Sequence, residues 1–193
     1  MSRDEPASTR HRILEAAWGA VEELGAGVRM GDVALRAGVS RQAVYLHFKD
    51  RAALLLALVD HMDETLEVDR LVGEVFAAPG GVAMLDRALA LYAQLTPRID
   101  RVARVLERSD DPAMAAAWRD RMSRRRSGHL AVIGLIAAEG RLADGWTVEE
   151  AADLLQTLTL PATWRTLTEE LGWTSEQYRE GLGRTLRSAL LKP

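Results

Sequence analysis

Residues 30–54 read MGDVALRAGVSRQAVYLHFKDRAAL, a stretch that predicts two short helices joined by a tight turn. Apolar side chains at helical spacing predict a first helix that ends at Ala37, and Gly38 can adopt the positive φ of a helix C-terminus. Ser40 is a favoured N-cap, so a second helix is predicted to begin directly after it. The small side chain of Ala34 lets the two helices cross closely, as they do in a helix-turn-helix.

The second helix has two different sides. Val44 and Phe48 lie four residues apart and are predicted to face inward. The opposite side then carries guanidinium, amide, phenol and imidazole groups, which suit contacts with the base edges and phosphates of DNA. Its outward positions are Arg41, Gln42, Tyr45 and Leu46, with Ala43 and His47 at the margins. The alternative is two surface helices joined by a glycine turn, without any nucleic-acid partner.

The first sixty residues carry a specific combination of motifs. An opening helix is predicted from Thr9 to Leu24, ended by a glycine, and is followed by AxxAGVS at 34–40, YLHF at 45–48 and an arginine at position 51. This combination resembles the tetracycline-repressor (TetR) family of bacterial transcription regulators. The family usually has lysine where Arg51 stands, and either cation can contact a phosphate.

The resemblance implies which residues contact DNA. The helix that begins at Arg41 would lie in the major groove, with some side chains at base edges and others at phosphates. Base edges would be met by Arg41, Gln42, Ala43 and Leu46, and phosphates by Tyr45, His47 and Arg51. Ser40 and Arg29 complete the predicted DNA-contacting set. Arg29 stands where the family often has a Thr or Ser cap, and it is either a further phosphate contact or a solvated surface arginine.

Composition narrows the class of protein. The chain has 193 residues, 48% of them hydrophobic, and no cysteine, which excludes a disulfide scaffold and a zinc–thiolate site. No apolar run approaches eighteen residues, and the start is polar, so we expect disorder over residues 1–8, no membrane span and a cytoplasmic protein. The net charge is −3, although residues 1–51 carry eight Lys or Arg against seven Asp or Glu. DNA contact through a few placed cations is therefore expected.

Beyond Arg51 the pattern stays helical, which predicts an all-α fold. The resemblance implies a helix-turn-helix DNA-binding domain of three helices at residues 1–53 and a helical effector-binding and dimerisation domain at residues 54–193. One helix is predicted from Asp50 or Arg51 to about Phe76. A second follows the PGG at 79–81 and ends near Pro97, and a short third runs from Ile99 to Arg108.

Later helix starts are marked by capping signals. Asp110-Asp111-Pro112 combines an N-cap with a proline at the first helical position, and Thr147 with Glu150 forms a capping box. Pro161 is predicted to kink or interrupt the helix that begins there. The last helix is predicted to start near Thr174 or Ser175.

The resemblance also implies a homodimer that reads a palindromic DNA operator. Its interface would use the last two long helices, Val148–Leu171 and Glu176–Leu191. The final helix carries one apolar stripe, formed by Tyr178, Leu182, Leu186 and Leu190, which is more apolar than a monomer is expected to expose. The alternative is that these helices close the core of a monomer.

By the same resemblance, a small-molecule effector binds between the middle helices and releases the protein from DNA, so that the protein acts as a repressor. Candidate pocket residues are Tyr92, Met114, Trp118, Met122, His129 and Trp164, since Met and aromatic side chains form adaptable apolar walls. The same residues can be plain core, with His129 a satisfied buried histidine. Arginines recur at 98, 101, 104, 108 and 124–126; either they pair with Asp100, Glu107, Asp110 and Asp111 on a solvated face, or they bind an anionic effector such as an acyl thioester.

Two other classes of function compete with a DNA-binding regulator. An enzyme has little support, because there is no cysteine, phosphate loop or nucleophile elbow, and the four histidines are scattered. The nearest thing to a cluster of metal ligands is the run Asp60, His61, Asp63 and Glu64, which is interpreted as the solvent-exposed side of a helix. No cofactor and no metal site are therefore expected. The other alternative, a helix-turn-helix protein-interaction module without DNA binding, does not explain the polar outward side that begins at Arg41.

Overall fold

The structure, a computed structural model, describes residues 8–193. Every secondary-structure element of more than one residue in that range is a helix. The α-helices, numbered in chain order, are α1 Thr9–Leu24, α2 Met30–Ala37, α3 Arg41–His47, α4 Arg51–Thr65, α5 Val68–Phe76, α6 Gly81–Glu107, α7 Pro112–Ala138, α8 Val148–Leu158, α9 Pro161–Arg165 and α10 Ser175–Leu190. The predicted all-α fold is confirmed. Residues 1–7, where disorder was expected, lie outside the described residues, whereas Ser8 caps α1 by accepting from the N–H of His11 at 3.2 Å.

The chain forms two compact units. The first takes in the described residues up to Leu66 together with Arg101–Trp118, and the second takes in Glu67–Asp100 with Arg119–Pro193. Helices α6 and α7 therefore each contribute residues to both units. The predicted functional boundary after residue 53 stays a prediction.

Apolar side chains of α1 to α4 form the core of the first unit. Ile13 and Val21 on α1, Val33 on α2, Val44 on α3 and Leu58 on α4 have no exposed surface. They recur at helical spacing on each element, so burying one face of every helix brings the four together. The short α3, with seven residues, depends on this packing, because an isolated helix of that length is unstable in water.

Local capping sets most helix ends where the sequence predicts them. Gly38 ends α2 in the left-handed conformation, with φ 66°. The side chain of Asp111 accepts from the N–H groups of Ala113 and Met114 and opens α7. Thr147 and Glu150 form the predicted capping box of α8, Pro161 stands at the start of α9, and Thr174 caps α10.

The prediction of one continuous helix from Asp50 or Arg51 to about Phe76 is wrong, because the structure has two helices there. The first ends at Thr65, after which Leu66 is buried and Glu67 adopts a left-handed conformation with φ 51°. A non-glycine residue in that conformation is uncommon and strained. The Glu67 carboxylate accepts from Arg70 at 2.8 Å, which holds the first turn of α5 against this strain.

The predicted break at Pro97 is also wrong, because α6 continues through this proline to Glu107. A proline inside a helix costs about 3 kcal/mol, since it removes a backbone hydrogen bond and crowds the preceding turn. Leu95, Thr96 and Val102 are all buried on either side of it. Packing of these flanking residues offsets the local cost and keeps the helix continuous.

The apolar stripe of α10 is buried within its own chain. Tyr178, Leu186 and Leu190 have no exposed surface, and Leu182 is 6% exposed. Gly181 lies so close to the Trp173 ring that a Cβ would come within 2.6 Å of it. The stripe therefore packs inside the protomer, and the pairing of the last two helices with those of a second protomer stays a prediction.

Candidate functional sites

The position of α3 is fixed by its cap and its inner side. The Ser40 hydroxyl accepts from the N–H of Ala43 at 3.1 Å, and the N–H of Val39 donates to the Ala34 carbonyl at 3.0 Å. Val44 and Phe48 are buried, as predicted. These contacts leave no freedom for α3 to rotate about its axis, because rotation would expose both apolar side chains and uncap the helix.

The outer side of α3 is exposed. Arg41, Gln42, Tyr45, Leu46 and His47 all face solvent, and Ala43 is half-buried at the margin. Leu46 is 81% exposed. The predicted groove-facing side chains therefore share one accessible face, with an apolar group among polar ones.

Arg41 and Tyr45 form a pair on this face. The Arg41 guanidinium lies 5.7 Å from the centre of the Tyr45 ring, and its Nη2 donates to the Tyr45 hydroxyl at 3.4 Å. The cation–π contact limits the conformations of both side chains before any ligand arrives. Sequence reasoning treats the two residues as independent, although their spacing of four on a helix predicts such a contact.

Arg51 has a structural use that the sequence does not reveal. Its Nε donates to the Val28 carbonyl at 2.9 Å and its Nη2 to the Ala26 carbonyl at 2.8 Å. These carbonyls belong to the connection between α1 and α2, so Arg51 braces that connection against α4. The nearby Arg29 is exposed, and its backbone N–H donates to the Asp32 carboxylate at 2.8 Å. At the start of α2 the Arg29 side chain makes no cap hydrogen bond, and the Asp32 carboxylate accepts from the Arg29 backbone instead.

A second candidate site lies in the second unit, around Tyr92 and His129. The Tyr92 hydroxyl is 2.7 Å from His129 Nε2, and the two rings meet edge to face at 5.8 Å. The Arg125 guanidinium stacks over the Tyr92 ring at 3.8 Å from its centre. Burial, with a further contribution from the positive charge of Arg125 and a smaller opposing one from Gln156, lowers the pKa of His129 to about 3. The imidazole is therefore neutral at pH 7.

Five buried side-chain atoms in this unit make no hydrogen bond of good geometry among the described residues, although the Gln156 side chain interacts with His129. They are Arg125 Nε, His129 Nδ1, Gln156 Oε1, Trp164 Nε1 and Tyr178 Oη. Such atoms are rare in folded proteins, since each unpaired buried polar group costs about 1–3 kcal/mol. Burial also raises the pKa of Tyr178 to about 12, so its hydroxyl keeps its proton. Arg125 Nε and Trp164 Nε1 are donors, Gln156 Oε1 is an acceptor, and the Tyr178 hydroxyl can act as either. Arg125 adds one fixed positive charge.

The predicted pocket residues are divided between the two units. Tyr92, Met122, His129 and Trp164 belong to the second unit, where Gln156 Nε2 donates to the Met122 carbonyl at 3.3 Å. Met114 and Trp118 belong to the first, and Met114 Sδ accepts from the Ser109 hydroxyl at 3.4 Å.

The predicted pocket residues omit Gln156 and Tyr178, and Arg125 was named only within the 124–126 run that could bind an anionic effector. Arg125 stands one turn before His129 on α7, and this spacing of four is the signal that could have identified it.

Two arginines of the arginine-rich stretches form ion pairs with acids other than those predicted. Arg124 pairs with Asp120 at 3.2 Å and Arg126 with Asp153 at 2.6 Å, both at the surface. Asp100, expected on a solvated face, is instead buried and accepts from Arg165 at 2.9 Å. That partner lies 65 residues away, so spacing along one helix could not indicate it. In the described part of the chain, no helix is both long and apolar enough to cross a membrane.

Comparisons with known proteins place these features in context. Residues 13–58 match the profile described as bacterial regulatory proteins, tetR family. The chain is 29% identical over 163 residues to the HTH-type transcriptional repressor BepR of Brucella suis biovar 1 (strain 1330), covering 80% of this chain and 78% of that protein.

Solved structures share the fold over almost the full length. A Saccharomonospora viridis protein, solved in complex with choline, superposes with a TM-score of 0.82 at 23% identity, covering 95% of this chain and 98% of that one. The transcriptional regulator FadR of Bacillus subtilis, solved in complex with stearoyl-CoA, gives a TM-score of 0.76 at 15% identity, covering 92% and 97%. At these identities the likeness concerns the fold alone.

Proposed function

The chain belongs to the TetR family of bacterial regulatory proteins, and from that premise we propose that it represses transcription as a homodimer on a palindromic operator. A small-molecule effector bound in the second unit releases it from DNA. The observation that carries this proposal is the exposed outer side of α3, held in place by the Ser40 cap and the buried Val44. A protein of this kind acts in the cytoplasm, where its operator lies.

On the proposed DNA surface, side chains of α3 divide into two roles. Arg41, Gln42 and Leu46 meet base edges, and the apolar Leu46 suits the methyl group of thymine. Ala43, half-buried at the margin of the same side, completes the group that faces base edges. Tyr45 and His47 hold phosphates, together with Arg29 and Arg51 beside them. Phosphate contacts set the register, whereas base contacts set the sequence preference.

The test of the DNA surface has two steps. Selection of bound duplexes from a random pool identifies the preferred sequence, and fluorescence anisotropy then compares the variants on it. Gln42→Ala is expected to relax preference at particular base pairs, and Tyr45→Ala to weaken binding to all sequences alike. Arg124→Ala, a surface arginine in the second unit, is the control and is expected to bind as the wild type does. Unchanged affinity and preference in both α3 variants contradicts the assignment.

The proposed dimer uses the helices in Val148–Leu171 and Glu176–Leu191. Since the apolar stripe of α10 faces its own core, the interface uses the other sides of α8 and α10, which carry polar residues such as Arg184 and Thr185. A physical reason for two protomers is that one short helix makes few base contacts, while a two-fold pair reads half-sites about 34 Å apart. Sedimentation of the chain with a selected duplex is expected to give two protomers per site. One protomer per duplex overturns the dimer.

The proposed effector site centres on Arg125, Tyr92 and His129. Because Arg125 Nε and Trp164 Nε1 are donors without a partner of good geometry and Arg125 carries a positive charge, the site favours an apolar molecule whose head group presents acceptor oxygens. A cationic head group is disfavoured, since it would approach the half-buried Arg125 guanidinium. Met122 and Trp164 supply apolar surface in the same unit, and Met114 and Trp118 remain predicted pocket residues.

A matched pair of probes tests this preference. Decanoate and decylamine each have ten carbon atoms in an unbranched chain, and they differ in the charge of the head group. Decanoate is expected to raise the thermal midpoint and to weaken operator binding, whereas decylamine does neither. In Arg125→Met the response to decanoate is lost while operator binding without ligand persists. An equal response to both probes, or a full response of Arg125→Met, contradicts the proposed site.

A further inference from the structure

Three potential metal ligands come together in the first unit, outside both sites described above. His11 and Glu15 stand one turn apart on α1, so their side chains project from one face. His61 on α4 lies against that face, with its Nε2 2.6 Å from Oε1 of Glu15. We propose that His11, Glu15 and His61 form a binding site for a divalent transition-metal ion such as Zn²⁺.

The geometry is close to what an ion requires. One ligand atom from each of the three side chains lies within 4.8 Å of the other two. The imidazole rings of His11 and His61 are perpendicular, at 88°, with centres 4.9 Å apart. Around a tetrahedral ion with bonds of about 2.0–2.1 Å, neighbouring ligand atoms are about 3.3 Å apart. Rotation of the exposed His11 and Glu15 side chains can bring His11 nearer and widen the 2.6 Å contact between Glu15 and His61, while the buried His61 stays fixed.

The donor set indicates which ions fit. Two imidazole nitrogens and one carboxylate oxygen suit zinc, copper or nickel, whereas Mg²⁺ and Ca²⁺ prefer oxygen ligands throughout. Three protein ligands leave a further coordination position for water. Solvent reaches this position through the exposed His11 and Glu15.

The sequence conceals this site. His61 reads there as part of an acidic run with Asp60, Asp63 and Glu64, yet it is buried at 7% exposure and turns toward α1. The competing explanation is a hydrogen bond between Glu15 and His61, with the His11 ring stacked beside it. That explanation predicts no specific uptake of an ion.

A bound ion would join α1 to α4. Since α1 packs on α2, and α2 on α3, such a bond stabilises the helices on which the proposed DNA surface rests. Any ligand that binds only the folded state raises its stability in proportion to the logarithm of ligand concentration over Kd.

The experiment titrates the full-length chain, freed of metal with EDTA and dialysed, with ZnCl₂ by calorimetry. We expect one Zn²⁺ per chain and a rise in the thermal midpoint that EDTA reverses. His11→Ala and Glu15→Gln are each expected to weaken Zn²⁺ binding at least about tenfold, since even outer-sphere partners contribute 10–100-fold. Glu22→Gln, another exposed carboxylate of α1, is the matched control and keeps wild-type affinity.

The decisive variants are those at exposed positions, because His61→Ala removes a buried side chain and can unfold the unit. Absence of saturable Zn²⁺ binding overturns the proposal, and so does equal binding by the wild type and the double variant His11→Ala, Glu15→Gln. Binding of metal is measured without DNA, so this result is independent of whether the protein is a repressor.

Discussion

Arg51 allows a structural role and a DNA-binding role to be separated by two substitutions. Its guanidinium donates to the carbonyls of Val28 and Ala26, and Val28 is 3% exposed while Ala26 is exposed. In Arg51→Met, water can replace the lost bond at Ala26 but not fully at Val28. Loss of one buried hydrogen bond to a charged donor is expected to lower the free energy of unfolding by about 1–3 kcal/mol.

Arg51→Lys keeps the charge but places a single nitrogen where the guanidinium offers two. We expect it to retain one of the two bonds and therefore to lose less stability than Arg51→Met. If Arg51 also meets a phosphate, each such contact contributes about 0.9 to the slope of log K against log salt concentration. Arg51→Met is then expected to flatten that slope by about 0.9, whereas Arg51→Lys leaves it unchanged.

Two assays read these effects separately. Amide hydrogen exchange in α1 and α2 gives the free energy of opening of the first unit, and anisotropy at several salt concentrations gives the slope. Arg124→Ala serves as the control in both. An unchanged exchange rate in Arg51→Met refutes the brace, and an unchanged salt slope in that variant refutes the phosphate contact. The two refutations are independent of each other.

Three further predictions concern Ser40, the Arg165–Asp100 pair and His129. Ser40→Ala removes the cap of α3 and is expected to cost about 1 kcal/mol and to weaken operator binding, as measured by urea denaturation and anisotropy, whereas Ser40→Asp should retain most of both. Arg165→Met removes the guanidinium that lies 2.9 Å from the buried Asp100 carboxylate and is expected to cost about 3–5 kcal/mol, while adding Asp100→Leu should recover much of that loss in a double-mutant cycle. Because the pKa of His129 is lowered to about 3, the unfolded state binds more protons, so stability present above the ordinary histidine pKa of about 6.5 is lost as pH falls toward 3. In the wild type this histidine contributes a slope of up to about 1.4 kcal/mol per pH unit in that window, and denaturation of His129→Gln at several pH values should lack that contribution.

The helix-turn-helix could be predicted almost to the residue. Its start, turn and second cap depend on Gly38 and Ser40, whose effects are confined to groups three or four residues away. The outward side of α3 follows from the same local periodicity, given only that Val44 must be buried. The exposed positions of the candidate DNA surface were accessible to sequence reasoning for this reason.

The candidate effector site was predicted only in part. Tyr92 and His129 were identified as polar groups on apolar faces, and the structure brings them into contact at 2.7 Å. Gln156 and Tyr178 were missed, because nothing in their own helices distinguishes them from ordinary core or surface residues. Their unpaired atoms become informative only once burial is known.

What the sequence by itself determined is the set of features controlled within one turn of helix: the helix class, most caps and the inner and outer side of α3. These depend on short side-chain-to-backbone bonds and on apolar periodicity, both of which are written in neighbouring residues. The tertiary structure alone decided the break at Glu67, the continuation through Pro97, the brace from Arg51 to Val28 and the meeting of His61 with α1. Each of these depends on contacts between residues distant in the chain. Such contacts either offset a local conformational cost or give a side chain a partner, and they exist only in the folded protein.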